Sequence, residues 1–201
     1  MSAAKTSRRE DILQTLAHML QSHPGERITT SALAKQVGVS EAALYRHFPS
    51  KAKMFEALIE FAEETLFSRI TRILQEQGSA LTRCQQILQL TIAFADRNPG
   101  LCRVLTGDAL QGEHERLRKR ASQIFERMET QLKQTLRQAE VEEGLVTRQP
   151  TAAVANLMLA SVEGRINQYI RSGFLRSPNE HWNEQWAFFA DNLFSTEKFM
   201  I

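Results

Sequence analysis

The chain has 201 residues, 42% hydrophobic and 24% charged, the balance of a globular protein able to bury one large core or two small ones. No apolar run approaches the ~20 residues of a membrane-spanning helix, the first residues lack the apolar core of a secretory signal, and Cys84 and Cys102 show neither metal-ligand spacing nor a disulfide framework; the expectation is a reduced, cytoplasmic protein without a membrane segment. The net charge of +2 is unevenly spread: residues 1–53 hold eight Lys/Arg against four acids, which points to a polyanionic partner at that end.

Helical periodicity runs through the chain, with Gly and Pro as punctuation and no alternating Val/Ile/Thr runs. A first helix is predicted over about 7–22, its stripe formed by Ile12, Leu13, Leu16, Met19 and Leu20, and ended by His23-Pro24-Gly25. Thr29 or Thr30 caps a short helix of about 30–36 by accepting from unpaired amides. Gly38 suits a left-handed turn. Ser40 then caps a helix of about 41–48 that Pro49 ends, and Ser50 caps a long one reaching about Glu76. Further helices are predicted at about 80–97, closed by Asn98-Pro99-Gly100, and at about 101–107, 113–142, 151–172 and 180–195. The fold class is therefore all-α, with about nine helices: a three-helix head over residues 1–53 and a helical body over 54–201.

The two short helices around Gly38 form a helix-turn-helix pattern. Ala32, Leu33, Ala34, Val37, Val39, Ala43, Leu44 and Phe48 supply its small core, which leaves Ser40, Glu41, Ala42, Tyr45, Arg46 and His47 facing outward. Short residues at the start of the outward helix allow approach to base edges, and longer polar ones hold the phosphate backbone. Arg46 suits a guanine or a phosphate and Ala42 a thymine methyl; Tyr45, His47 and Lys51 suit phosphates, with the N-terminus of the next helix aiding Lys51. Thr29 and Thr30 stand at the start of the other short helix, within the same candidate surface.

"ITTSALAKQVGVSEAALYRHFPSK", residues 28–51, resembles the DNA-binding segment of TetR-type transcriptional regulators, in which the tyrosine, the histidine two on and the lysine after the turn recur as backbone contacts. The likeness covers about residues 8–55. It implies a DNA-binding head and a helical body that forms a homodimer, two heads reading half-sites about one helical turn (~34–36 Å) apart on a palindrome, with one dimer or more per site. The body segments "MFEALIEFAEETLFSRI", "RNPGLCRVLTGDAL" and "FERMETQLKQTLR" are similar to the nucleoid occlusion branch of that family. That likeness implies a nucleoid-associated protein that, on palindromic chromosomal DNA, antagonises polymerisation of the tubulin-like division protein FtsZ by gripping its C-terminal tail.

The positions that match the tail groove of that branch are Phe61, Arg69, Leu90, Arg97 and Asn98, while Ala93 stands where the resemblance leads one to expect a glycine. At 100° per residue Phe61 and Arg69 lie about 80° apart on one helix, and Leu90 and Arg97 about 20° apart on another. Each pair points broadly one way. Two apolar anchors flanked by arginines suit a peptide that mixes apolar and acidic groups. Without the resemblance, Phe61 reads as one member of a core stripe with Met54, Leu58 and Thr65, and the two arginines as solvated charges.

Trp182, Trp186, Phe189 and Leu193 recur at 4-3-4 spacing on the last helix, opposite a small-residue face with Leu157, Ala160, Gly164 and Asn167. Such faces pack closely, either within one chain or across a two-fold axis; the resemblance implies the latter, a four-helix dimer interface. Catalysis is not expected. None of the five histidines sits in a metal motif, no phosphate loop, dinucleotide fingerprint or nucleophile elbow appears, and no cofactor or metal is expected. The rival reading is a ligand-responsive repressor whose body holds an inducer among Ile87, Leu90, Phe94, Leu105, Phe125 and Met158.

Overall fold

The computed structural model describes residues 7–76 and 78–196; Lys5, one of the basic residues counted above, lies outside them. In chain order the helices are α1 (Arg8–Ser22), α2 (Thr30–Val37), α3 (Glu41–His47), α4 (Lys51–Gln75), α5 (Ala80–Arg97), α6 (Pro99–Leu105), α7 (Glu115–Glu142), α8 (Thr151–Arg171) and α9 (Trp182–Leu193), with a 3₁₀ turn at Asp108–Leu110. Two short strands, β1 (Leu145–Thr147) and β2 (Phe194–Thr196), pair antiparallel. The structure is the all-α one expected, with nine α-helices among the described residues. The strands were not expected, and the last helix stops at Leu193, where the chain turns into β2.

Two compact units emerge from the packing. The first comprises Met1–Glu63 and Asn98–Ser122, the second Glu64–Arg97 and Gln123–Ile201. This grouping differs from the division at residue 53/54 drawn from the sequence, because α6 and the start of α7 pack with the head.

In the first unit α1 starts with a reciprocal cap: Ser7 Oγ accepts from the Glu10 amide at 3.2 Å, and the Ser7 amide donates to the Glu10 carboxylate at 2.9 Å. Ile12, Leu16, Met19 and Leu20 are the buried stripe of α1. Pro99 opens α6 at a position where a missing N–H costs nothing. Gly100 is required next, since a Cβ there would lie 2.0 Å from the carbonyl oxygen of Ala17, so α6 rests directly on the backbone of α1. Arg103, 2% exposed, completes the joint by donating to Leu20 O at 2.8 Å and His23 O at 2.9 Å and pairing with Asp108. Its donors satisfy carbonyls that the end of α1 leaves unpaired.

The second unit buries Leu66, Ile70, Ile87, Ile92, Leu132, Met158, Val162 and Trp182. Glu143 accepts from the Ala80 amide at 2.9 and 3.0 Å, a carboxylate at the positive end of α5. Asp96, near the other end of α5, accepts from the Ser177 hydroxyl and the Asn179 amide, each at 3.2 Å, and so anchors the loop that joins α8 to α9. Across the β ribbon Leu145 faces Thr196 and Thr147 faces Phe194, and Arg148 Nε donates to Phe194 O at 3.0 Å.

Candidate nucleic-acid interface and partner site

The helix-turn-helix is set by its caps. Thr29 Oγ1 accepts from the Ala32 amide at 3.1 Å and Ser40 Oγ from the Ala43 amide at 3.2 Å; between them Gly38 takes φ 76°, the left-handed conformation that ends α2. Leu33, Ala34, Leu44 and Phe48 are buried and Val37, Val39 and Ala43 half-buried, as the core reading expected; Ala32 is exposed. It sits in the first turn of α2 and belongs to the surface rather than to the core.

On that surface the outward residues of α3 (Ser40, Glu41, Ala42, Tyr45, Arg46 and His47) are all exposed. Three of the candidates are linked: Tyr45 Oη donates to Thr30 Oγ1 at 3.4 Å, and Thr30 in turn donates to the Glu41 carboxylate at 2.9 Å. The chain fixes the tyrosine ring against the start of α2 and occupies one oxygen of Glu41, leaving the phenol oxygen at the surface. Arg46 and His47 make no ion pair among the described residues, and Lys35 likewise stands free. Arg9 lies 4.3 Å from the Phe48 ring, a basic residue that charge counting alone left without a place.

Lys51 is placed differently. Its ammonium sits 2.6 Å from Glu113 Oε1, with only 18% of its side chain exposed, and 5.4 Å above the Phe55 ring; Arg27 approaches the same carboxylate at 3.9 Å. Glu113 lies 62 residues away, and no local pattern marks it. Close by, Glu56 receives Lys53 and Arg116, the latter at 2.8 Å. The Lys53 hydrogen bond holds the Glu56 carboxyl below its ordinary value, against the opposing effect of burial and with help from the charges of Arg116 and Arg120.

In the first unit Phe61 is 51% exposed on a helix whose Met54, Leu58 and Ala62 are buried. It borders a mostly apolar cavity of about 330 Å³ together with Leu13, Gln14 and Ala17 of α1, Asn98 and Leu101. The core reading of Phe61 is thereby excluded. In the second unit Arg69 and Arg97 are exposed, without ion pairs among the described residues, and Leu90 is half-buried. Also there, burial and the nearby Glu143 push the Cys84 thiol up to about 12. Of the residues offered for an inducer, Ile87, Phe94, Phe125 and Met158 are core residues of this unit, and Leu105 is buried in the first.

The aromatic stripe expected at a dimer face is packed inside the chain. Trp182, Trp186 and Phe189 are 2%, 7% and 8% exposed within the single chain, so they have almost no area left to offer a partner. They are core side chains of the second unit, and Leu193 is half-buried. Spacing alone cannot distinguish which partner covers a stripe. What α8 and α9 do expose is Leu157 at 48%, Ala160, Gly164 and, from α9, Phe188 at 62%. Apart from its chain neighbours and the backbone of its own helix turns, no atom of the described residues lies within 4 Å of where a Cβ on Gly164 would stand.

Residues 12–58 match the family described as bacterial regulatory proteins, tetR family, and residues 77–194 match the SlmA-like, tetracyclin repressor-like C-terminal domain. The chain is 60% identical to the nucleoid occlusion factor SlmA of Alteromonas mediterranea over 92% of its length and 95% of that protein's. It is 58% identical to the SlmA of a Marinomonas species, over 96% and 98%. In fold it is similar to the MbdR regulator of Azoarcus (TM-score 0.79, 17% identity, 93% of this chain and 99% of that one) and to the fatty acid degradation regulator FadR of Bacillus halodurans (0.77, 12%, 93% and 96%).

Proposed function

The chain belongs to the SlmA nucleoid occlusion factors within the TetR family of bacterial regulatory proteins, and from that membership we propose how its residues divide the work. As a member it is a DNA-binding, dimerising protein and not an enzyme. In our reading α3 enters the major groove. Ala42 and Arg46 approach base edges; Thr29, Thr30, Tyr45 and His47 hold phosphates, and Ser40 and Glu41 fix the start of the helix. Lys51 joins the phosphate contacts once it leaves Glu113. Two heads related by the dimer axis address a palindrome. The dimer face is drawn from the exposed residues of α8 and α9, Leu157, Gly164 and Phe188, rather than from the buried tryptophans.

The second activity in this proposal is capture of the C-terminal tail of FtsZ. Phe61 and Leu90 take its apolar residues, Arg69 and Arg97 its acidic ones, and Asn98 its backbone. The observation that carries the division-antagonist reading is identity of 58–60% to SlmA proteins over more than nine-tenths of the chain; a half-exposed phenylalanine beside an apolar cavity supports the assignment of the tail site.

Sedimentation of GTP-assembled FtsZ with this protein, with and without a selected palindromic duplex, tests it. Loss of polymer that requires the duplex is the expected result, abolished by Arg69→Asp with Arg97→Asp in a variant that still binds DNA. Unchanged polymer in both arms would reject the division-antagonist reading in favour of a ligand-responsive repressor.

A further inference from the structure

Arg165, on α8, is a buried cation without an ion-pair partner among the described residues. It is 8% exposed, and its Nη1 donates to Pro178 O at 3.0 Å and Glu180 O at 2.7 Å, its Nη2 to the Gln185 side-chain oxygen. All of these acceptors are uncharged, and among the described residues no carboxylate lies within ion-pair distance of it; its Nε–H is buried and has no acceptor. A guanidinium so placed sacrifices hydration for neutral acceptors, the Trp182 ring 5.4 Å away and the more distant charge of Glu180, a partial return only. Burial, with the neighbouring charge of Arg176, pulls its pKa below the ordinary value, and Glu180 opposes that.

Beside it lies a cavity of about 300 Å³ between the second half of α8 and the loop to α9. Arg165, Arg176, His181 and Gln168 line it, with Glu180 as the single acid. Glu180 is already engaged, accepting from Arg176 Nε at 3.1 Å. His181 is held in the left-handed region at φ 57°, a conformation that costs a side-chain-bearing residue roughly 1 kcal/mol or more.

We propose that this cavity is a binding site for a small oxyanion, a phosphate or carboxylate group, which Arg176, His181 and Gln168 contact and whose charge compensates Arg165. The proposal does not depend on the FtsZ reading; Gly164, which borders the cavity, also belongs to the face drawn above for the dimer. An anion seated there ties α8 to the loop that precedes α9, and it offers the protein a metabolite-responsive contact in the same unit as its exposed α8 face.

The test uses the full chain. Arginine Nε–H and tryptophan Nε1–H resonances are followed by NMR during titration with sodium phosphate, with sodium acetate, and with sodium chloride at matched ionic strength. Expected is a saturable shift of the Arg165 Nε–H in phosphate or acetate, in the millimolar range or tighter, absent in chloride. Whichever anion saturates identifies the class. Arg176→Gln should weaken it several-fold and Glu180→Gln, which removes the competing carboxylate, should strengthen it; a misfolded variant would not produce opposite directions. Shifts that fail to saturate in both anions, that match those in chloride, or that ignore both substitutions would overturn the proposal.

Discussion

Glu113→Gln is expected to tighten DNA binding, although residue 113 is far in sequence from the helix-turn-helix. In the free protein Glu113 holds Lys51 at 2.6 Å, with 10% and 18% of the two side chains exposed. A phosphate that takes Lys51 must first break that pair. An exposed pair contributes about 0–1 kcal/mol and rupture of a fully buried one costs about 3–5 kcal/mol; this pair lies between the two, and about 1 kcal/mol per head is a conservative figure. Removing the competitor then raises affinity about fivefold per head and about 30-fold for a dimer with both heads engaged. The assay is fluorescence anisotropy with a palindromic duplex, repeated over a salt series. A double-mutant cycle completes it, since in a Lys51→Gln background the gain from Glu113→Gln should vanish. Unchanged or weaker binding by Glu113→Gln would refute the competition and make Glu113 a residue that positions the lysine. A gain that survived Lys51→Gln would show that the carboxylate acts by general repulsion of the duplex.

Three other outcomes follow from the packing. Gly100→Ala would place a methyl 2.0 Å from Ala17 O and 2.9 Å from Ala17 C, both backbone atoms, so α6 must lift from α1; a loss of about 3 kcal/mol, or about 6–12 °C in Tm, is expected in thermal unfolding, and a fall under 2 °C would contradict the close approach. Burial, then the charge of Glu129, raises the Glu163 carboxyl above its ordinary value; the folded state therefore carries a penalty at pH 7 that disappears below the ordinary carboxylate range, where folded and unfolded forms are both protonated. Glu163→Gln should add about 0.5 kcal/mol at pH 7 and nothing at low pH, and a loss of stability at pH 7 in denaturant titrations would reverse the sign. Finally, Cys84, with its thiol pushed up to about 12, and the equally buried Cys102 should resist a thiol reagent at pH 8 until denaturant is added; rapid modification of the native protein would show that the cores open.

What the sequence revealed was local. The caps at Thr29 and Ser40, the left-handed Gly38 and the outward face of α3 all depend on residues within four positions of one another, and each is found where the pattern placed it. Features closed by distant partners left no such trace. Glu113 meets Lys51 across 62 residues, and the strand pair joins three-residue segments from either side of α8 and α9, too short for alternation to register. The tryptophan stripe shows a different limit. A 4-3 spacing identifies which side chains share a face but not what covers that face, and here it is covered from within the chain, leaving Phe188, one residue before the stripe's Phe189, as the exposed aromatic. For Phe61 the same ambiguity resolved the opposite way: Met54 and Leu58 of the stripe are buried and it is not.

The charge of the head illustrates why such closures matter for function. By composition, residues 1–53 carry four more bases than acids, yet Lys51 is neutralised by Glu113 from outside that segment and Lys53 by Glu56, while Arg9 spends its guanidinium against the Phe48 ring. Among the described residues Lys35 and Arg46 make no ion pair, so a phosphate contact by either would break none. Counter-ion release rewards each phosphate contact, but every pair that must be exchanged offsets part of that reward. In the proposed reading, a head organised in this way is expected to bind non-specific DNA weakly and to recruit Lys51 only where the fit of α3 is good enough to draw it from Glu113. On that reading base recognition and the full electrostatic grip are coupled through one ion pair, and the expected specificity includes the cost of opening it as well as the contacts that follow.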